Sequence, residues 1–284
     1  MSCPSLLFSI FTAFLHRIQL GPSDNLFKLK SIFSKFNKMS LETLPAHVGY
    51  RFTNTLHHDI YPATDPTKTD LSQPSKVVLI TGASRGIGRT IALKYAECQV
   101  GCLVICARTT SSLDSLELSI KKLSSTTKVC KLTLDVSNDS QVLAAAEKVK
   151  NEEGRLDILV NNAGFCSPWV PITEGNTEEY LKTWAVNMKG PYLMLNAFLP
   201  LMLETAKTHE TVDIINIASI GAHYAASGAS AYNTSKFALL RLSECVETEY
   251  AEKGVNCFSV HPGGVPTELS NSIEVIKPCK LFSK

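Results

Sequence analysis

Hydrophobic residues are spread unevenly along the chain, and the pattern changes near residue 76. From there on, short apolar runs alternate with longer stretches of helical spacing. KVVLIT (76–81), CLVICA (102–107), KVCKLTLD (128–135), LDILVN (156–161), VDIINIA (212–218) and VNCFSV (255–260) are short runs rich in β-branched residues and read as strands. Between them, RTIALKYAEC (89–98), SLDSLELSIKKL (112–123), SQVLAAAEKVK (140–150), a stretch from about Glu178 to Thr205 and another from about Ala231 to Lys253 read as helices. Strands apolar on both faces belong to a parallel sheet covered by helices on each side. Right-handed crossovers then predict the doubly wound strand order 3-2-1-4-5-6, with ligands bound beyond the carboxyl ends of the strands. The expected fold class is therefore α/β, a doubly wound parallel sheet of Rossmann type.

Residues 1–75 read as an N-terminal extension to one domain over residues 76–284. LLFSIFTAFL (6–15) is apolar but shorter than the roughly 18 residues that span a bilayer. No basic residue precedes it and no small-residue cleavage site follows, so it makes a poor secretory signal. Next, Leu26, Leu29, Phe33 and Phe36 share one helical face, with Lys28, Lys30, Lys35 and Lys38 largely elsewhere. Three readings compete here: a mitochondrial presequence, a membrane-surface helix, and residues translated upstream of a start at Met39, the last being favoured. Residues 45–75, rich in Pro, Thr and Asp, read as a linker or an arm on the domain surface.

Composition removes several classes of function. The 284 residues carry a formal net charge of +2, and no stretch concentrates Lys and Arg with interleaved aromatics, which argues against a nucleic-acid surface. Nine cysteines without a C-x-x-C spacing fit reduced, mostly buried thiols better than disulfides or zinc. The His57-His58 pair, in a polar stretch, reads as surface, so no metal is expected. Cytoplasmic location follows, or mitochondrial if residues 1–38 are a presequence.

The candidate chemistry gathers at strand ends. In TGASRGIG (81–88), Gly82, Gly86 and Gly88 permit a tight turn and close approach of a phosphate to N–H groups at a helix start. At the end of ICARTT (105–110) an acidic residue would suit NAD, but Arg108 stands there and Arg85 lies in the glycine loop. Two guanidiniums and no carboxylate favour a 2′-phosphate, hence NADP(H). Asp135 and Val136 end a further strand and are candidates to flank the adenine, and NNAG (161–164) closes the next. Ser219 follows INIA, with Tyr232 and Lys236 thirteen and seventeen residues on. Their i, i+4 offset puts the last two on one helical face. Asn187 lies within the preceding long helix.

TGASRGIG, NNAG, Asn187, Ser219, YNTSK (232–236) and HPGGVPT (261–267) occur in this order over roughly residues 76–270. In this the chain resembles the short-chain dehydrogenase/reductase family, in its shorter single-domain subtype. The resemblance implies a catalytic set of Asn187, Ser219, Tyr232 and Lys236. Tyr232 would be the general acid in carbonyl reduction or the base in alcohol oxidation. Lys236 would lower the Tyr232 pKa and bind the nicotinamide ribose, Ser219 would hold the substrate oxygen, and Asn187 would support a water that relays protons to Lys236. It also implies cofactor contacts from Gly82, Ser84, Arg85, Gly86, Ile87, Gly88, Arg108, Asp135, Val136, Asn162, Ala163, Gly164, Tyr232, Lys236, Pro262, Gly263, Val265 and Thr267. A homodimer or homotetramer built on the two long helices is a further implication.

Members of the family usually continue through another helix and a seventh strand, whereas 21 residues follow Gly263 here. The expected sheet is therefore short of its last helix and strand. The expected function is an NADP-dependent oxidoreductase acting on a carbonyl or alcohol. The alternative is a catalytically inactive NADP-binding regulator or partner protein. The substrate is not readable, although Phe165, Trp169 and Tyr224 suggest an apolar pocket wall.

Overall fold

The computed structural model describes residues 60–209 and 211–271. The amphipathic run around Leu26–Phe36, Met39, and everything after residue 271, where a last helix and strand were in question, lie outside these residues. Among the described residues, six strands form one parallel sheet: β1 (Val77–Thr81), β2 (Cys102–Ala107), β3 (Lys128–Thr133), β4 (Ile158–Asn161), β5 (Val212–Ile217) and β6 (Val255–Val260). Their order is β3-β2-β1-β4-β5-β6, as the alternation of runs predicts. The helices are α1 (Gly86–Glu97), α2 (Thr110–Leu123), α3 (Asp139–Glu153), α4 (Thr177–Trp184), α5 (Gly190–His209), α6 (Ser230–Tyr250) and a single turn, α7 (Glu268–Asn271).

Alternation along the strands fills two cores. Val77 and Leu79 of β1 join Val104, Leu159 and Ile214 beneath α3 and α5, where Met194 and Phe198 are fully buried. Val78 and Ile80 point the other way, with Leu103, Ile105 and Val160, against Ile91 and Tyr95 of α1 and Leu113, Leu116 and Ile120 of α2. The sheet is thus apolar on both sides because helices cover both. Residues 60–75 lie against the amino-terminal side of this unit, with Thr64 and Leu71 buried. The Gln73 N–H donates to the Cys98 carbonyl at 3.0 Å.

Two polar features cross this apolar interior. At the amino ends of the strands, the buried Asp157 carboxylate accepts from the Val77 N–H at 2.8 Å and from Arg155 at 2.6 and 2.9 Å, with Lys76 at 3.8 Å. Nearer the carboxyl ends, Asn161 donates to Asn216 at 2.9 Å, and Asn216 donates to Ser243 of α6 at 2.8 Å. Ser259 of β6 reaches the same Ser243 hydroxyl at 2.7 Å. This ladder pins α6 to β4, β5 and β6 about two turns along from Lys236, so helix and sheet cannot slide past each other without stranding buried polar groups.

The long helix expected from about Glu178 to Thr205 is interrupted. Residues Ala185–Lys189 form a π turn between α4 and α5. A Cβ on Gly190 would lie 2.8 Å from Cγ2 of Val136, so the helix comes that close to the end of β3 only through glycine. Such a π turn inside a helix is a local widening often found beside functional sites.

Candidate active site

The ends of the strands and the first turns beyond them enclose a cavity of about 500 Å³. Gly82, Ser84, Arg85, Gly86 and Ile87 line it after β1, and Arg108 after β2. Asp135 and Val136 contribute after β3, Asn162, Ala163 and Gly164 after β4, and Pro262 and Thr267 beyond β6. Tyr232 and Lys236 face it from α6. Fifteen of the anticipated residues therefore meet at one site, while Gly88, Asn187, Ser219, Gly263 and Val265 are not on its lining.

The glycine loop is held by a staple that the motifs did not announce. The Thr81 hydroxyl accepts from the N–H groups of Asn162 and Ala163 at 2.9 and 3.0 Å, and the Asn162 side chain donates back to the carbonyls of Thr81 and Gly82. The side chain of Asn162 thus binds β1 to β4. Gly82 has φ +62°, and a Cβ there would stand 2.9 Å from Cα of Ala163. Gly88 is a packing position: its Cβ would fall 2.4 Å from both Asn162 Nδ2 and the Gly82 carbonyl. Helix α1 begins at Gly86 with no side-chain cap on its first turn. Free N–H groups of a first turn attract anions.

Charges at this end are of both signs. Arg108 is exposed, and Arg85 forms an ion pair across the cavity mouth with Glu268 at the start of α7. Burial raises the Asp135 pKa, but hydrogen bonds from the Ser137 hydroxyl and N–H, with Arg108 nearby, hold it below the ordinary carboxylate value. Asp135 therefore stays ionised with its Oδ1 engaged by Ser137 at 2.6 and 2.8 Å.

At the other end, Lys236 is buried, and its ammonium donates to the Ile217 carbonyl at 2.7 Å. Burial pulls its pKa down to about 8. Its Nζ stands 5.8 Å from the centroid of the Tyr232 ring. Burial raises the pKa of the Tyr232 phenol above the ordinary tyrosine value, although the nearby Ser219 hydroxyl tends to lower it. This corrects the expectation of a depressed phenol: Lys236 sits over the ring and spends a donor on Ile217, while the surrounding apolar wall penalises the phenolate. Cys166 forms part of that wall, its thiol pKa raised by burial, with the Trp169 indole N–H donating to its Sγ at 3.3 Å.

Asn187 is not on the cavity lining. It is fully buried in the π turn, its Oδ1 accepts from the Phe165 N–H at 2.8 Å, and its Nδ2 donates to the Phe165 carbonyl and to Ser235 Oγ. The side chain thus clamps the segment that follows Gly164 to α6. Phe165, placed this way, lines the cavity beneath Lys182, whose ammonium is 4.6 Å from the ring centroid.

Comparison with known proteins agrees with this geometry. The profile of the family described as short chain dehydrogenase matches residues 76–275. The short chain dehydrogenase mpl6 of Monascus purpureus is 41% identical over 242 residues, covering 84% of this chain and 80% of its own. The short chain dehydrogenase andI of Emericella variicolor is 36% identical over 80% of this chain and 77% of its own. Among solved structures, levodione reductase superposes with a TM-score of 0.66 at 26% identity, covering 69% of this chain and 74% of that one. A 3-ketoacyl-(acyl-carrier-protein) reductase from Brucella melitensis, complexed with NADH, gives 0.64 at 27% identity, covering 70% and 79%. With the motifs, the strand order and the cavity in agreement, the chain belongs to the short-chain dehydrogenase family of nicotinamide-dependent oxidoreductases.

Proposed function

We propose that the protein is an NADP-dependent oxidoreductase that interconverts a carbonyl and an alcohol, with residues 76–284 as its catalytic unit and 1–75 as an extension. The observation that carries this reading is the convergence of Tyr232 and Lys236 on a cavity whose opposite end holds Arg85 and Arg108. The uncapped first turn of α1 suits a diphosphate, and the absence of a carboxylate at the end of β2 suits a 2′-phosphate rather than a free ribose hydroxyl. When bound, the nicotinamide supplies the hydride. A phenol whose pKa is raised remains protonated at neutral pH, which fits Tyr232 to donate a proton to the developing alkoxide. Ser219, near that phenol, would hold the same oxygen. Lys236, with a pKa of about 8, exchanges protons readily in the working range and would restore the Tyr232 proton.

Free thiols at all seven described cysteines are consistent with a reducing, cytoplasmic setting, and no described helix is long and apolar enough to cross a membrane. Exposed Tyr192 on α5 and Phe237 on α6 support a homodimer or homotetramer through those helices.

The reading is tested by titrating the purified protein with NADPH and with NADH, following nucleotide fluorescence. NADPH is expected to bind at least tenfold more tightly. Tighter NADH binding would refute the assignment of Arg85 and Arg108, whereas loss of carbonyl reduction in Tyr232→Phe is required for the assignment of the acid.

A further inference from the structure

We propose that Asn233 is a positioning residue for Ser219, fixing the direction in which the serine hydroxyl points its proton. This rests on the reading of Ser219 and Tyr232 as a reacting pair. Asn233 follows Tyr232 on α6, and its side chain reaches over the turn that follows Ser219. Its Nδ2 donates to the Tyr224 carbonyl at 3.0 Å. Its Oδ1 occupies the space above Gly221, where a Cβ would come within 2.6 Å of it. The turn between these two points is a short 3-10 helix, Ile220–Ala222. Within it the Gly221 N–H donates to Ser219 Oγ at 3.1 Å.

That last bond has a chemical consequence. A hydroxyl oxygen that accepts from a backbone N–H has one lone pair occupied, so its own proton turns to another side. In Ser219 that leaves the proton for the side facing the Tyr232 phenol, on which the hydroxyl acts, and thus for the oxygen that the phenol would protonate. If the turn relaxes, Gly221 no longer orients the hydroxyl and Ser219 samples rotamers that point away. Two neighbours on α6 thereby divide the work, Tyr232 carrying the proton and Asn233 holding the loop that aims its partner. Gly221 is glycine because the Asn233 amide lies where a side chain would be.

The test is a double-mutant cycle read on kcat for NADPH-dependent reduction of a panel of aromatic and aliphatic aldehydes and ketones, 4-nitrobenzaldehyde included. Asn233→Ala is expected to lower kcat about tenfold with the Kd for NADPH unchanged. In a Ser219→Ala background the same substitution is expected to cost less than twofold, because the hydroxyl it orients is gone. Gly221→Ala approaches the contact from the other side and is expected to reproduce the loss, with partial recovery when combined with Asn233→Ala. Should Asn233→Ala fold poorly, that pair of variants decides the matter. Losses from Asn233→Ala and Ser219→Ala that multiply would overturn the proposal, as would an Asn233→Ala enzyme with unaltered kcat. If Ser219→Ala and Tyr232→Phe both retain full activity, or the wild type reduces no member of the panel with NADPH, the underlying reading falls and the proposal falls with it.

Discussion

Two buried charges, at opposite ends of the same sheet, are treated in opposite ways. Asp157, at the amino end of β4, is enclosed by a guanidinium, an ammonium and a backbone N–H, so each carboxylate oxygen has a partner of complementary charge or polarity. Lys236, at the carboxyl ends, is equally enclosed but meets only a neutral carbonyl, and its pKa falls to about 8. A buried carboxylate that is fully paired contributes to one folded arrangement. A buried ammonium without a counter-charge is held close to losing its proton, which costs stability and makes it useful in proton transfer. The fold places its structural ion at one end of the strands and its labile one at the other.

Three substitutions would break or sharpen that contrast. The largest effect is expected from Asp157→Ala, which leaves Arg155 and the Val77 N–H without their partner and should cost about 4 kcal/mol in denaturant unfolding. Activity per folded molecule should be nearly unchanged, because the site lies at the far ends of the strands. Turnover falling in step with stability would show that the two ends are not independent.

Lys236→Met should act in the reverse sense. The wild-type lysine has a folded pKa below its unfolded value of 10.5, so the unfolded state binds more protons between about pH 8 and pH 10.5. Its penalty is therefore fully present below pH 8 and fades as pH rises toward 10.5. The stability of the variant relative to wild type should decline by about 3 kcal/mol from pH 7 to pH 10.5, while carbonyl reduction falls about a hundredfold. A pH-independent difference would mean that the ammonium is not penalised by burial.

The smallest effect belongs to Glu268→Gln. Glu268 neutralises Arg85 at the cavity mouth, where both side chains are well exposed. Removing the competing carboxylate should tighten NADPH binding about two- to fivefold and leave NADH binding unchanged. Equal changes for both nucleotides would place the influence of Arg85 elsewhere than on a 2′-phosphate.

The strands and their order were legible because period and composition are strong wherever a strand is apolar on both faces, as in VVLIT and CLVICA. The meeting of Gly82, Arg108, Asp135, Gly164 and Tyr232 followed from one rule, that ligands sit beyond the carboxyl ends of such a sheet. What escaped were relations between side chains and backbone. Thr81 is an unremarkable residue in a strand, and only the proximity of Asn162 and Ala163 makes its hydroxyl the staple of the loop. The π turn at Ala185–Lys189 leaves the helical spacing nearly intact, and its signal was Gly190, too small to notice without Val136 beside it. The rise in the Tyr232 pKa depends on how deeply the phenol is enclosed and where Lys236 spends its donors, which no spacing of Tyr and Lys encodes. Asn233 stood in plain view between two named residues, but its two contacts belong to a loop nine and twelve residues away.

The central position of β1 also shapes the birth of the protein. β1 is flanked on one side by β2, and on the other by β4, whose neighbour Asp157 lies 80 residues from the Val77 N–H it accepts from. On a ribosome, β1, β2 and β3 emerge first and complete half of the sheet, with the bare rim of β1 waiting for β4. At about 5–20 residues per second, that rim stands open on the order of seconds. Its five residues are apolar apart from Thr81, so for that interval the nascent chain offers a ready template for a wrong strand. Speed of synthesis through residues 134–161, and the company of a chaperone while they are made, would therefore govern how much of this protein reaches its native state.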